Sequence, residues 1–551
     1  MVAGTLTLVA GMGNAALGAW LDNIGLASGS LFRVACGFAV SAALGCAAGR
    51  AMSGRSSPQA VHRRGALIEA EAGAAERSEA RLQQAVRRAS LGAVRSRTGH
   101  RQALTLAGIE VAALDETKHF KLIGTTGTGK STAICELLGA ALERGDRAVI
   151  ADPDGGYLER FANPRRGDVI LNPFESRSLK WDLFGEIRTP YDIDQLARSL
   201  LPDQGGADRS WTGYARTFFG AVVRQAHTAG VRDIGELYRL LVVAGAPELR
   251  KLVEGTAAQP FLDEHNVRMF DSIRSVTSSA VGPLEYIAAQ NTAPLSVRNW
   301  VQAGAQGGAP QGAVLFIPYR AGQIAALRST ISAWMRLAIF EAMSQPEGDQ
   351  RLWFVVDELD ALGQIDGLKD ALARLRKFGG RCVLGFQSVA QVSSTYGLGE
   401  AQTLVENCGN TLILRCSSSD HGGTAAFASR LIGQREVLRT SISHSRRPME
   451  LLSSTTLSEH VGIEPAVMDS QIEQLPDLEG YLKFASAPSW RRIRLAPQSP
   501  AQVMSELCEA RTGASARNAR HKWRSEDVPR TDPDASTTRT RGRFDRSHDY
   551  E

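Results

Sequence analysis

At 551 residues the chain is too long for one ordinary compact domain, so two or three folded units plus an anchor or a tail are expected. Charged residues make up 22% and the formal net charge is +5, a balance that allows a nucleic-acid or acidic-lipid partner without requiring one. The seven cysteines, at 36, 46, 135, 382, 408, 416 and 508, show no C-x-x-C pairing, which argues against a zinc or dithiol framework and leaves reduced core residues.

The chain opens on two apolar stretches. Residues 2–20 carry no charge and residues 31–49 carry only Arg33, so each is long enough to cross a hydrocarbon layer of roughly 30 Å as a helix. Their Gly and Ala content suits helix packing through small residues, and Arg33, near one end, is within reach of the interface. A single cleaved signal peptide is the competing reading; the lack of a basic segment before the first stretch opposes it. Arg50, Arg55, Arg63 and Arg64 crowd the far side of the second stretch, whereas the short connection near Asp22 has no Lys or Arg before Arg33. By the positive-inside rule everything after residue 50 is then cytoplasmic. Residues 1–55 are expected to form a multi-pass anchor with two transmembrane helices. Residues 56–114 follow as a lead-in, within which the Ala, Glu and Arg of residues 66–99 suggest a helical stalk.

The stretch HFKLIGTTGTGKSTAICELLGAAL starts with a short apolar run and continues into Gly124-x-x-x-x-Gly129-Lys130-Ser131. Helix-spaced Ile134, Leu137, Leu138 and Leu142 come next. Strand, loop, helix is the context of a Walker A phosphate loop. Glycines let the backbone amides of Gly124, Thr125, Thr126, Gly127, Thr128, Gly129 and the following Lys130, Ser131 and Thr132 turn around a phosphate. The helix N-terminus adds its positive end, Lys130 reaches the β and γ oxygens, and Ser131 ligates Mg²⁺.

The second half of the site is RLWFVVDELDALG, where five apolar residues run directly into Asp357 and Glu358. A fully buried strand reads this way, and its carboxyl end is where a parallel α/β sheet presents ligand groups. Asp357 is expected to hold the metal shell and Glu358 to orient and polarise the attacking water. An acidic helix cap is the alternative. After the helical stretch GLKDALARLRKFG, the strand RCVLGFQS delivers Gln387 to the same edge, as a γ-phosphate sensor or a simple turn residue. Arg374 and Arg376 lie between these strands, on a solvated face or aimed at a neighbouring subunit's nucleotide. No Asn-Lys pair serves guanine recognition and no L-S-G-G-Q stretch marks a transporter cassette. The Asp-Glu pair points to an ATP-driven motor.

Taken in order, these motifs resemble the coupling proteins of conjugative type IV secretion, the TraD/TrwB family. The resemblance runs through GTTGTGKS, VIADPDGGYLERF at 149–161, VILNPFESRSLKWDLFGEI at 169–187 and VVDELDALGQIDGLKDALARLRKFGGRCVLGFQS. It covers most of residues 115–435. It implies an α/β fold: a RecA-like P-loop motor domain, here 115–181 and 291–500, with an all-α domain inserted at 182–290. It further implies a homo-hexameric ring at the bacterial inner membrane that spends ATP, with Mg²⁺, on moving single- or double-stranded DNA with an attached relaxase toward the type IV secretion channel. Lys130 and Ser131 match the phosphate grip, Asp357 and Glu358 the Walker B pair, Gln387 the sensing glutamine, and Arg376 the arginine finger. The sequence departs from the family in the very short connection between its two spans.

Residues 182–290 show helix spacing of their own. WTGYARTFFGAVVRQA places Trp211, Tyr214 and Phe218 along one face, a stripe that is more often core than a platform for nucleic-acid bases. From residue 501 the mixture of Arg, acids, Ser, Thr and Pro predicts a disordered tail. Two rival functions use the same residues: a membrane ATPase exporting only protein, and a docking receptor that binds nucleotide without hydrolysing it.

Overall fold

The computed structural model describes residues 61–69, 103–202, 209–308, 312–419, 423–445 and 454–497. Both expected membrane spans, most of the expected stalk and the expected tail lie outside the described residues, among which no helix is long and apolar enough to cross a membrane.

The main sheet takes its strands from the whole described length: β1 (Ile68–Glu69), β2 (Phe120–Ile123), β3 (Arg147–Pro153), β4 (Val169–Ile170), β5 (Val314–Tyr319), β6 (Leu352–Val356), β7 (Gly380–Phe386), β8 (Asn410–Ile413), β9 (Glu479–Lys483) and β10 (Trp490–Arg494). They lie in the order β1-β10-β9-β8-β2-β7-β6-β3-β5-β4. The run from β8 to β4 is parallel throughout, while β9 and β10 add an antiparallel edge. The parallel strands β2, β3 and β5 to β8 are buried along both faces and mostly apolar without alternation, because both faces of the sheet are covered. On β6, Trp353 and Val355 enter one core, and Leu352, Phe354 and Val356 the other.

Among the helices of the described residues, seven bear on the site and the helical segment: α1 (Lys130–Glu143), α2 (Gly156–Phe161), α3 (Pro190–Leu200), α4 (Arg209–Thr228), α5 (Val267–Val281), α6 (Val297–Ala305) and α7 (Ala321–Met343). Ala133, Ile134, Leu137, Leu138 and Ala141 of α1 line up at helical spacing and cover one face of the sheet. The opposite face is covered by α7, whose Trp334 meets Trp181 edge-on at 5.9 Å.

Between residues 184 and 288 every described element is helical. Within α4, Ala215, Phe218, Phe219, Val222, Val223 and Ala226 are all buried, and Phe218 packs on Phe270 of α5 at 5.4 Å. The aromatic stripe divides accordingly. Phe218 is core, whereas Trp211 and Tyr214 form a peripheral pair at 5.9 Å. The entry and exit of this helical segment are clasped together. Lys180–Trp181 pairs in parallel with Pro294–Leu295, and the fully buried carboxylate of Glu186 accepts from Trp181 Nε1 (3.0 Å), Ser296 Oγ (3.1 Å) and the amides of Val297 (2.7 Å) and Arg298 (3.1 Å). The last two are first-turn amides of α6 that lack an intrahelical partner.

One expectation changes near the start. Residues 61–65 are a strand against residues 434–445 of a long hairpin completed by 454–465, and β1 pairs with β10. Residues 66–69 therefore do not begin a helical stalk. Their extended backbone gains sheet hydrogen bonds that an isolated Ala-rich helix end would have to find in solvent.

Buried His119 gives the fold a pH dependence. Its Nδ1 accepts from the Cys382 amide at 3.1 Å, so its Nε2, 2.9 Å from the Leu372 carbonyl, carries the proton. A second proton on Nδ1 would face an N–H donor. Burial pulls this imidazole down from 6.5 to about 4. A depressed folded-state value means stability that is complete above pH 6.5 and lost as pH falls toward 4. The wild-type chain should lose at most about 3 kcal/mol to this group over that window, and His119→Gln should flatten that limb of a urea-midpoint-against-pH curve. An unchanged limb would remove His119 as its source.

Candidate nucleotide-binding and hydrolysis site

The register of the sheet brings three strand ends together. Ile123 of β2 lies beside Phe386 of β7, and Val356 of β6 beside Leu384. The residues that follow, Gly124, Gln387 and Asp357, therefore share one edge, with the glutamine strand between the two others. Beyond β2 the backbone turns through left-handed Gly127 (φ 77°) and Gly129 (φ 114°) into α1. A Cβ on Gly129 would come within 2.8 Å of Leu478 Cδ2, and one on Gly124 within 2.9 Å of both Leu414 Cβ and Thr128 Oγ1. The loop is braced from outside as well: the Leu478 amide donates to Thr128 O (3.0 Å), and the Thr125 amide to Arg415 O (2.9 Å).

Side chains then converge on the loop. The Lys130 ammonium donates to Gly124 O (2.6 Å) and Thr125 O (3.2 Å). Burial lowers its pKa, and the carboxylates of Asp357 and Glu358 oppose that shift. Ser131 Oγ donates to Asp357 Oδ2 at 2.7 Å, and Tyr157 Oη donates to the same oxygen at 2.8 Å. Asp357 Oδ1 is buried with no hydrogen-bond partner. Gln387 ties the halves together, donating from Nε2 to Glu358 Oε1 and accepting at Oε1 from Thr126 Oγ1 (3.1 Å). Burial, then the neighbouring Asp360 and Asp357, raise the Glu358 carboxyl above its usual range, as a general base requires.

Residues 124–132, Asp357, Glu358 and Gln387 thus share one pocket. Arg376 does not join them. It begins a 3₁₀ turn just before β7, lining a cleft with Arg144, Arg351 and Arg381 at the opposite end of the sheet. The seven residues of β7, at about 3.3 Å each, put it roughly 20 Å from Gln387. Its own chain's nucleotide is therefore out of reach.

Three residues at the pocket were not singled out from sequence. Asp152, fully buried and pushed up to about 7 mainly by that burial, accepts from the amides of Tyr157 (3.1 Å) and Leu158 (2.7 Å). Tyr157 itself reaches Asp357. Tyr319 presents a buried, unpartnered hydroxyl near Glu358, Asp357 and Asp152. Asp152 and Tyr319 lie at the ends of buried apolar strands, VIADP and VLFIPY, and the strand-end logic that located Asp357 applies equally to them; Tyr157, beyond the turn after VIADP, carries no such signal.

The donor set fits a magnesium triphosphate. One hydroxyl and one carboxylate with a free buried oxygen are hard ligands of the number that magnesium takes from protein when phosphates supply others, and the turned-in loop at the start of α1 suits anionic oxygens. Fold and site together define a RecA-like P-loop nucleotide-binding protein of mixed α/β class.

Comparison with known proteins narrows this. A family model described as the type IV secretion-system coupling protein DNA-binding domain matches residues 103–496. The coupling protein TraD of Escherichia coli (strain K12) is 30% identical over 395 residues, covering 71% of this chain and 54% of TraD. The chain thus spans about half the length of that curated relative. The unbound monoclinic form of the bacterial conjugative coupling protein TrwBΔN70 superimposes with a TM-score of 0.67 at 30% identity, over 81% of this chain and 96% of that one. TrwB in complex with ADP and Mg²⁺ gives 0.66 at 29% identity, over 81% and 96%. The chain belongs to the TraD/TrwB family of type IV secretion-system coupling proteins.

Proposed function

We propose that this chain is the inner-membrane ATPase of a conjugative system, driving DNA with its attached relaxase toward a type IV secretion channel. The observation that carries this reading is the continuous hydrogen-bonded path Thr126–Gln387–Glu358 beside Lys130 and Ser131–Asp357. Family membership and the solved TrwB complex with ADP and Mg²⁺ support the choice of ligand. Lys130 grips the β and γ oxygens, and the loop amides hold the remaining phosphate charge. Ser131 and Asp357 would hold magnesium, which would supply neutralisation of phosphate charge. Glu358 aligns the attacking water and accepts its proton. Gln387, fixed to both halves, reports to Thr126 whether Glu358 is engaged.

A homo-hexamer with its motor in the cytoplasm and residues 1–55 in the membrane completes the proposal. Arg376 then serves the neighbouring subunit's nucleotide. Chains carrying Arg376→Ala and Lys130→Ala, each inactive alone, should regain measurable hydrolysis when mixed, because some interfaces pair an intact loop with an intact finger. No recovery at any ratio would remove Arg376 from that role.

The deciding experiment is phosphate release by the detergent-solubilised full chain, with and without single- and double-stranded DNA. Stimulation of several-fold by either is expected. Hydrolysis indifferent to both would favour a motor for protein cargo, and absence of hydrolysis would favour a docking receptor.

A further inference from the structure

The Walker B carboxylate is held on one side only. Asp357 Oδ2 accepts from Ser131 Oγ (2.7 Å) and Tyr157 Oη (2.8 Å), while Oδ1 is buried and unpartnered. A carboxylate can rotate to exchange its two oxygens, and a cation is best served when that rotation is stopped. Ser131 alone is a poor stop, because it is itself exposed on the first turn of α1 and is a candidate ligand. Tyr157 is better placed, being only 3% exposed. Its backbone is fixed in turn: Gly155, at φ 77°, lets the chain leave β3 sharply into α2, and the buried Asp152 carboxylate takes the amides of Tyr157 and Leu158.

We propose that Tyr157 is a positioning residue for the metal, saturating Asp357 Oδ2 from a rigid, water-free side so that Oδ1 is the oxygen presented to magnesium or its bound water. The tyrosine's hydroxyl acts on the site through Asp357. Removing its hydroxyl should therefore weaken the metal-dependent part of nucleotide binding and spare the rest. This rests on the magnesium-nucleotide reading of the pocket.

The test is titration of Mg²⁺ into solubilised full-length chain with a fluorescent ATP analogue, comparing wild type with the isosteric Tyr157→Phe, together with binding of Mn²⁺ followed by its electron paramagnetic resonance signal. The Mg²⁺ midpoint and the Mn²⁺ dissociation constant are expected to rise about tenfold, with analogue affinity in EDTA unchanged. Unchanged Mg²⁺ and Mn²⁺ constants in Tyr157→Phe would overturn the inference, as would an equal loss of affinity in EDTA, which marks a merely structural role. If Asp152→Asn, which keeps the tyrosine but loosens its backbone, shifts both metal constants in the same direction by a smaller factor, the chain of support through α2 is upheld. A wild type with no Mg²⁺-dependent binding at all would overturn the magnesium reading and this inference with it.

Discussion

Lys130→Ala should lower kcat/KM for ATP by at least about 100-fold and weaken nucleotide binding in the same preparation. The lysine is 6% exposed, and its ammonium sits among loop carbonyls with Asp357 and Glu358 as its nearest opposing charges. Two electrostatic effects therefore act together on its loss. The triphosphate loses a cation in a dry pocket, where that charge is worth far more than in water. Glu358 and Asp360, whose raised pKa values are each held in check by Lys130, move further toward their protonated forms, so a smaller share of Glu358 is ionised and able to take the proton. Equilibrium binding of a labelled nucleotide and steady-state phosphate release read the two effects separately. A variant retaining half of the wild-type rate would show that the loop does not grip the transferred phosphate.

Glu358→Gln should behave differently, leaving nucleotide binding nearly intact while hydrolysis falls by about 100- to 1,000-fold. The amide is isosteric, so the packing around it and a contact to Gln387 remain available. What disappears is the negative oxygen that orients water and takes its proton. This separates binding from turnover, and accumulation of unhydrolysed ATP on the protein is the expected signature. In cells such a chain should block transfer even in the presence of wild-type copies if subunits act together in a ring. Full activity of Glu358→Gln in both assays would assign the water-orienting role elsewhere, Asp360 being the neighbouring carboxylate with the largest effect on Glu358.

The Walker B strand and the glutamine strand were legible in the sequence because each couples an uninterrupted apolar run to a polar residue at its end, and the Walker A strand, broken by the buried Lys121, because the glycine-lysine loop after it marks it. Such a run has one stable home, the middle of a parallel sheet, and the sheet then delivers its polar residues to one edge whatever the order of strands. Tyr157 lacked that clarity. It lies five residues beyond its nearest strand-end acid, Asp152, after a Gly-Gly turn, and only the left-handed backbone at Asp154 and Gly155 aims it back at Asp357. Residues 66–69 were misread for the opposite reason: the Ala-rich, charged stretch they open favours a helix locally, whereas the edge of β10 and the Gln434 carbonyl offer backbone partners from more than 360 positions away. Local composition carries no information about such a distant edge. From sequence Arg376 reads as a solvated residue or as a finger for a neighbouring subunit; its distance from its own chain's pocket is a property of strand length and direction that the motif alone does not carry.

Gly129 owes its nearest neighbours to residues 478 and 495, at the far end of the described chain. The mouth that receives phosphate is therefore built from both extremities of the motor, and the last two strands act as its back plate. Shortening the protein ahead of residue 478 would leave every signature motif in place yet produce a slack, ill-shaped mouth. Force transmitted along that terminal ribbon, by a neighbour or by cargo, would be felt directly where nucleotide is grasped.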